Sequence, residues 1–179
     1  MDSITVADRE GDPIDVDVGI EKACRMVLAL AQADKKLMFI GNGASAAISS
    51  HMAADFLKNG GIETMAFNDG PLLTCMGNDY GYKHVFEKPI ERVAHEADLL
   101  VAISSSGNSE NILLGVGAAR LKGCDVITLS GFSPDNTLSS RGNINFYAPS
   151  QQYGPVEVVH HAICHCILDM LIHLKKTGV

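Results

Sequence analysis

Two sets of ionisable side chains stand at spacings that bring them together. His51 and Asp55 are four residues apart within SAAISSHMAADFLK, and Glu157, His161 and His165 follow at intervals of four within VEVVHHAICHCILDM. On a helix, residues at i and i+4 share one face. A carboxylate beside an imidazole can move a proton or hold a metal ion, since both offer lone pairs near neutral pH. The same patterns also occur as a surface ion pair and as a His-rich subunit contact. Two further stretches, Gly41-Asn42-Gly43-Ala44-Ser45 and Ser104-Ser105-Ser106-Gly107-Asn108-Ser109, combine glycine, amide and hydroxyl groups. Such loops suit an anion, because glycines let the backbone come close and hydroxyls and free N–H groups donate to oxygen.

What positions these groups is read from hydrophobic periodicity. Val16, Ile20, Ala23, Met26, Val27, Leu30 and Ala31 recur at three and four, which predicts a first helix over residues 14–33. The run 36–40 predicts a strand that stops at Gly41, and 45–58 a helix ended by Asn59-Gly60-Gly61. A short strand at 64–67 follows. Residues 71–76 and 84–95 are expected as short helices, the second interrupted or kinked at Pro89. The apolar run 98–103 then leads into the serine-rich loop and a helix over 111–121. Strands at 124–129 and 144–147, a turn or short helix at 134–140 and a long helix at 156–175 complete the chain. Alternating strands and helices, with strands apolar on both faces, predict a three-layer α/β/α domain with a five-stranded parallel sheet. Ligands in such sheets sit beyond the carboxyl ends of the strands, where both polar loops fall.

With 179 residues the chain is long enough for one domain. Residues 1–13, acidic and without period, are expected as a flexible arm, and 14–179 as the single domain. A formal net charge of -7, with no cluster of Lys or Arg, makes nucleic acid a poor partner. The five cysteines are scattered and without zinc-finger or redox spacing, so they read as buried thiols in a reducing cytoplasm. No secretory h-region is seen near the start, and no stretch is read as a membrane span of ~20 apolar residues. The first loop lacks the Gly-Lys-Ser/Thr of a nucleotide P-loop and the third glycine of the dinucleotide fingerprint.

The segments FIGNGASAAISSHMAADF, TCMGNDYGY, DLLVAISSSGNSENI, GCDVITLSGF and VEVVHHAICHCILDML resemble the SIS (sugar isomerase) phosphosugar-binding domains. Among these, they resemble the sedoheptulose-7-phosphate (phosphoheptose) isomerases. The resemblance implies a flavodoxin-like sheet, a homotetramer with active sites between subunits, and a zinc ion. It further implies a ketose–aldose isomerase that works through an enediol by acid–base chemistry, in heptose synthesis for lipopolysaccharide or capsule. By alignment, His51, Asp55, Glu157 and His165 would bind the metal. Asn42, Gly43, Ser45, Asn78, Asp79, Ser104, Ser105, Ser106 and Ser109 would contact the sugar phosphate, the serines taking the phosphate.

This chain departs from the family pattern twice, with Asp55 where Glu is usual and Glu157 where Gln is usual. A Gln cannot take a proton, so the base is expected to be Glu157 or Asp55, with His165 as its acid partner and His51 on the metal. Glu157 and His165 are two helical turns apart, about 12 Å of rise, which makes His161 between them an alternative ligand. Asn78-Asp79-Tyr80-Gly81 also reads as a plain turn. A non-catalytic sensor or adaptor on the same fold is the alternative function, and it would not need His51, Asp55, Glu157 and His165 together.

Overall fold

A computed structural model describes residues 4–177. Its elements in chain order are β1 (Thr5–Asp8), β2 (Pro13–Ile14), α1 (Val16–Gln32), β3 (Leu37–Gly41), α2 (Ala44–Lys58), β4 (Thr64–Ala66) and α3 (Gly70–Tyr80). After a 3₁₀ turn (Tyr82–His84) come α4 (Glu87–Val93), β5 (Leu99–Ser104), α5 (Glu110–Leu121) and β6 (Asp125–Gly131). A second 3₁₀ turn (Thr137–Ser140) precedes β7 (Ile144–Ala148) and α6 (Tyr153–Thr177).

The sheet runs β2-β1-β7-β6-β5-β3-β4. The five strands from β7 to β4 are parallel, in the flavodoxin-like order expected. Along β3 and β5 successive side chains go to opposite faces, so each apolar run feeds two cores. Leu37, Phe39, Leu99, Val101 and Ile103 meet α1, α2 and α6 on one side. Met38, Ile40, Leu100 and Ala102 meet α4 and α5 on the other, with α3 alongside. Each buried Val, Leu, Ile, Phe or Met side chain among them contributes roughly 1.5–3 kcal/mol.

The order in which the chain adds strands reverses between β3 and β5. Chain order goes outward from β3 to β4, then back across to β5, and the crevice opened at that point holds both polar loops.

Several expectations are corrected. Thr5–Asp8 is not a loose arm but a strand antiparallel to β7, because Val6 reaches the core beneath the sheet and is 2% exposed. Pro89 neither interrupts nor kinks a helix. It lies in the first turn of α4, where its missing N–H has no helical partner to lose. Of the five cysteines, Cys24, Cys124 and Cys164 are buried, while Cys75 and Cys166 are exposed on their helices. Burial pushes the Cys124 thiol up to about 11 and that of Cys164 to about 12. Finally, α6 is long and apolar enough by length and composition to cross a membrane. Its face bearing Ile163, Cys164, Ile167, Leu168 and Leu171 is instead built into the core.

Candidate active site

The first loop is shaped by two glycines. A Cβ on Gly41 would meet the Ser45 carbonyl oxygen at 2.5 Å, and Gly43, the N-cap of α2, has φ 55°. This lets α2 start directly over the end of β3, with Asn42 turned toward the neighbouring loop. Asn42 and Asn111 exchange amide hydrogen bonds, and the Tyr82 hydroxyl donates to Asn42 Oδ1 at 3.1 Å.

The second loop is pinned from below. Gly107 has φ 63°, and a Cβ there would lie 1.8 Å from Asn136 Oδ1. Buried Asn136 in turn donates to Ser130 Oγ and accepts from the Ser139 N–H. Inside the loop, Ser104 Oγ accepts from the Gly107 N–H and Ser106 Oγ from the Asn108 N–H. The Ser109 side chain makes no capping bond at the start of α5, although Ser109 is its N-cap. Ser105 Oγ is buried without a partner. These free hydroxyls border a cavity of roughly 110 Å³ lined by Asn42, Ser45, Ile103, Ser104, Ser105, Ser106, Ser109, Tyr153 and Glu157. A buried hydroxyl with nothing to bond is costly unless a ligand satisfies it, and a phosphate oxygen does so.

Beside this cavity α2 and α6 bring three imidazoles together. The ring centroids of His51 and His161 are 5.0 Å apart, those of His51 and His165 5.6 Å, and those of His161 and His165 4.7 Å. One potential ligand atom from each lies within 4.8 Å of the others. Asp55 Oδ2 is 3.3 Å from His51 Nε2. His161 Nε2 is buried without a partner. Burial, and then the neighbouring His165 and His51, hold the His161 imidazole below its ordinary pKa against the opposing pull of Asp55. A neutral ring keeps a lone pair, so the donor set fits a divalent ion that favours nitrogen, such as zinc.

Glu157 links the two halves. It borders the serine cavity and also the adjoining hollow lined by Ala44, Ala47, Ile48, His51, Val158 and His161. Asp55 borders neither, and stands behind His51.

Of the residues expected at the site, Asn42, Ser45, the four serines of the second loop and Glu157 meet in one cavity. Gly43 shapes the loop without lining the cavity. Asn78 and Asp79 are not in a turn. They are exposed near the end of α3, where Asn78 Nδ2 donates to Asp79 Oδ1, and they do not line the cavity. Tyr153, outside the residues that the sequence points to, also lines the cavity, and it precedes Glu157 by four, the spacing that links Glu157, His161 and His165. Tyr82, which bonds Asn42, carries no sequence signal beyond its place after Asn-Asp-Tyr-Gly.

Residues 16–131 match the family described as SIS domain. A phosphoheptose isomerase of Akkermansia muciniphila is 34% identical over 158 residues, covering 85% of this chain and 83% of that one. The chain belongs to the phosphoheptose isomerase family of SIS-domain proteins. Solved structures agree. The phosphoheptose isomerase of Neisseria gonorrhoeae superposes with a TM-score of 0.79 at 31% identity, covering 86% of each chain. That of Francisella tularensis gives a TM-score of 0.78 at 27% identity, covering 86% of this chain and 84% of that one. For a phosphoheptose isomerase, the serine cavity and the adjoining carboxylate and imidazoles form the candidate active site.

Proposed function

We propose that this chain converts sedoheptulose 7-phosphate to D-glycero-D-manno-heptose 7-phosphate. The observation that carries the reading is the position of Glu157, a carboxylate bordering both the hydroxyl-rich cavity and the imidazole cluster. The phosphate is held by Ser105, Ser106 and Ser109 at the start of α5, where N–H and O–H groups favour an anion. Ser104 and Asn42 complete the wall, and Asn78 and Asp79 are assigned outer contacts to the sugar.

With the phosphate fixed, the Glu157 carboxylate takes the proton from C1 of the ketose, leaving an enediolate with its charge on O2. The O1 proton passes to the neighbouring O2, and protonated Glu157 returns its proton to C2. The O1 charge then collapses to the aldehyde. No net proton is gained or lost. A zinc-like ion held at the imidazole cluster would stabilise negative charge on the sugar oxygens. Ligation and proton donation are exclusive uses of one imidazole nitrogen, so His165 within this cluster is assigned to the ion rather than to the acid role. Asp55 orients His51.

The enzyme is further proposed to act as a homotetramer in the cytoplasm, on a route to lipopolysaccharide or capsule heptose. Support for assembly comes from the seam between α1 and α6, where Val16, Ile20, Val159, Ala162 and Ile163 line an apolar hollow. The free cysteines suit a reducing compartment. Incubation with sedoheptulose 7-phosphate and with fructose 6-phosphate, followed by NMR, tests the reading. Aldose heptose phosphate is expected from the first alone, and no product from either contradicts an isomerase.

A further inference from the structure

We infer that this chain binds its divalent ion through three imidazoles of one subunit, His51, His161 and His165, with His161 in place of the side chain at position 157. The inference deepens the proposed function, since it leaves the Glu157 carboxylate free to act as base. It rests on three observations.

The first is convergence. A four-coordinate zinc with nitrogen ligands at about 2.0–2.1 Å needs those nitrogens about 3.3–3.4 Å apart. The three rings already present atoms within 4.8 Å of one another, so modest side-chain rotation brings them onto one ion. The second is an unmet bond. His161 Nε2 is buried and has no partner, although the rings of His51 and His165 stand within 5.0 and 4.7 Å of its own, centroid to centroid. A cation at the point where the three rings converge would take up the lone pair of that orphaned nitrogen. The third is spacing along α6. His161 and His165 are one turn apart and their centroids 4.7 Å, whereas residues 157 and 165 are separated by two turns, about 12 Å of rise.

The carboxylate of Asp55, 3.3 Å from His51 Nε2, acts as the positioning group for that ring. A set of three imidazoles selects ions such as zinc or cobalt over magnesium, which prefers oxygen.

The test measures ion binding rather than turnover. The full-length protein is stripped with chelator, titrated with Zn(II) in equilibrium dialysis, and loaded with Co(II) for its visible spectrum. The variants are His161→Gln, Glu157→Gln and His51→Gln, the last at a half-exposed position where folding is not at stake. His161→Gln and His51→Gln should each weaken Zn(II) binding by about 100-fold or more and change the Co(II) spectrum. Glu157→Gln should leave affinity and spectrum unchanged. Full binding in His161→Gln, a loss in Glu157→Gln, or no Zn(II) bound by the wild type would each overturn the inference. The isomerase reading stands or falls separately, on aldose formation.

Discussion

Asn42 and Asn111 exchange two hydrogen bonds, each amide donating to the other's oxygen at 2.9 Å. The first follows β3 and the second lies in the first turn of α5, so this pair ties together the loops on either side of the point where the strand order reverses. Asn111 is 4% exposed, and its Oδ1 also accepts from the Ile112 N–H. Asn111→Ala should destabilise the fold by about 1–3 kcal/mol, because Asn42 loses its partner in a half-buried setting. It should also weaken sugar-phosphate binding as the loops part. Urea unfolding together with calorimetric titration checks both, and an unchanged pair of values would show that the bridge does not set the loop spacing.

Ser105→Ala has effects of opposite sign. Its hydroxyl is buried with no protein partner, so removing it should leave the unliganded protein as stable as before or slightly more so. Phosphate should bind roughly 10-fold more weakly or worse, by the loss of a hydrogen bond to a charged group. Thermal melts with and without sugar phosphate separate the two effects. A variant that loses stability but keeps its affinity would mean that the hydroxyl faces the core.

His160 predicts an acid limit to stability. Its ring is fully buried against β6 with Nε2 3.0 Å from the Ser130 carbonyl oxygen, and burial pushes its pKa down to about 4. Between about pH 6.5 and 4 the unfolded chain therefore binds a proton that the folded chain refuses. Stability is fully present above about 6.5 and is lost as pH falls toward 4, by an amount on the order of 3 kcal/mol. In His160→Gln, which keeps a donor for Ser130 but does not titrate, urea midpoints should fall less steeply across this window. Parallel slopes in wild type and variant would assign the acid limit to other groups.

The alternation of apolar runs with glycine and serine loops sufficed to place β3, α2, β5 and α5, because each run is long and each loop ends it sharply. The sequence alone therefore sets both loops at the carboxyl ends of strands. The pairing of β1 could not, since a four-residue strand with one buried side chain, Val6, takes its identity from β7, far away in the chain. Helix α6 starts at Tyr153, three residues before the apolar run that predicts it, and takes in Gly154 and Pro155. In the first turn a proline gives up no helical hydrogen bond. The same kind of limit applies to the site. Spacing put His161 and His165 on one face of α6, but only the packing of α2 against α6 brings His51 to them. Asn78 and Asp79 are marked by likeness alone, since nothing in their spacing singles them out and both stand exposed on α3, outside the cavity.

Replacing Glu157 by Gln is the most direct test of the account, because the change keeps the size of the side chain and removes only its ability to take a proton. Turnover of sedoheptulose 7-phosphate is followed by NMR in the wild type, Glu157→Gln and Asp55→Asn, with binding measured in parallel. Glu157→Gln should lose about 10²–10⁴-fold in turnover while binding the sugar phosphate normally. Asp55→Asn should keep most of its turnover once zinc is saturating. Full activity in Glu157→Gln with activity lost in Asp55→Asn would place the base on α2 and contradict the account.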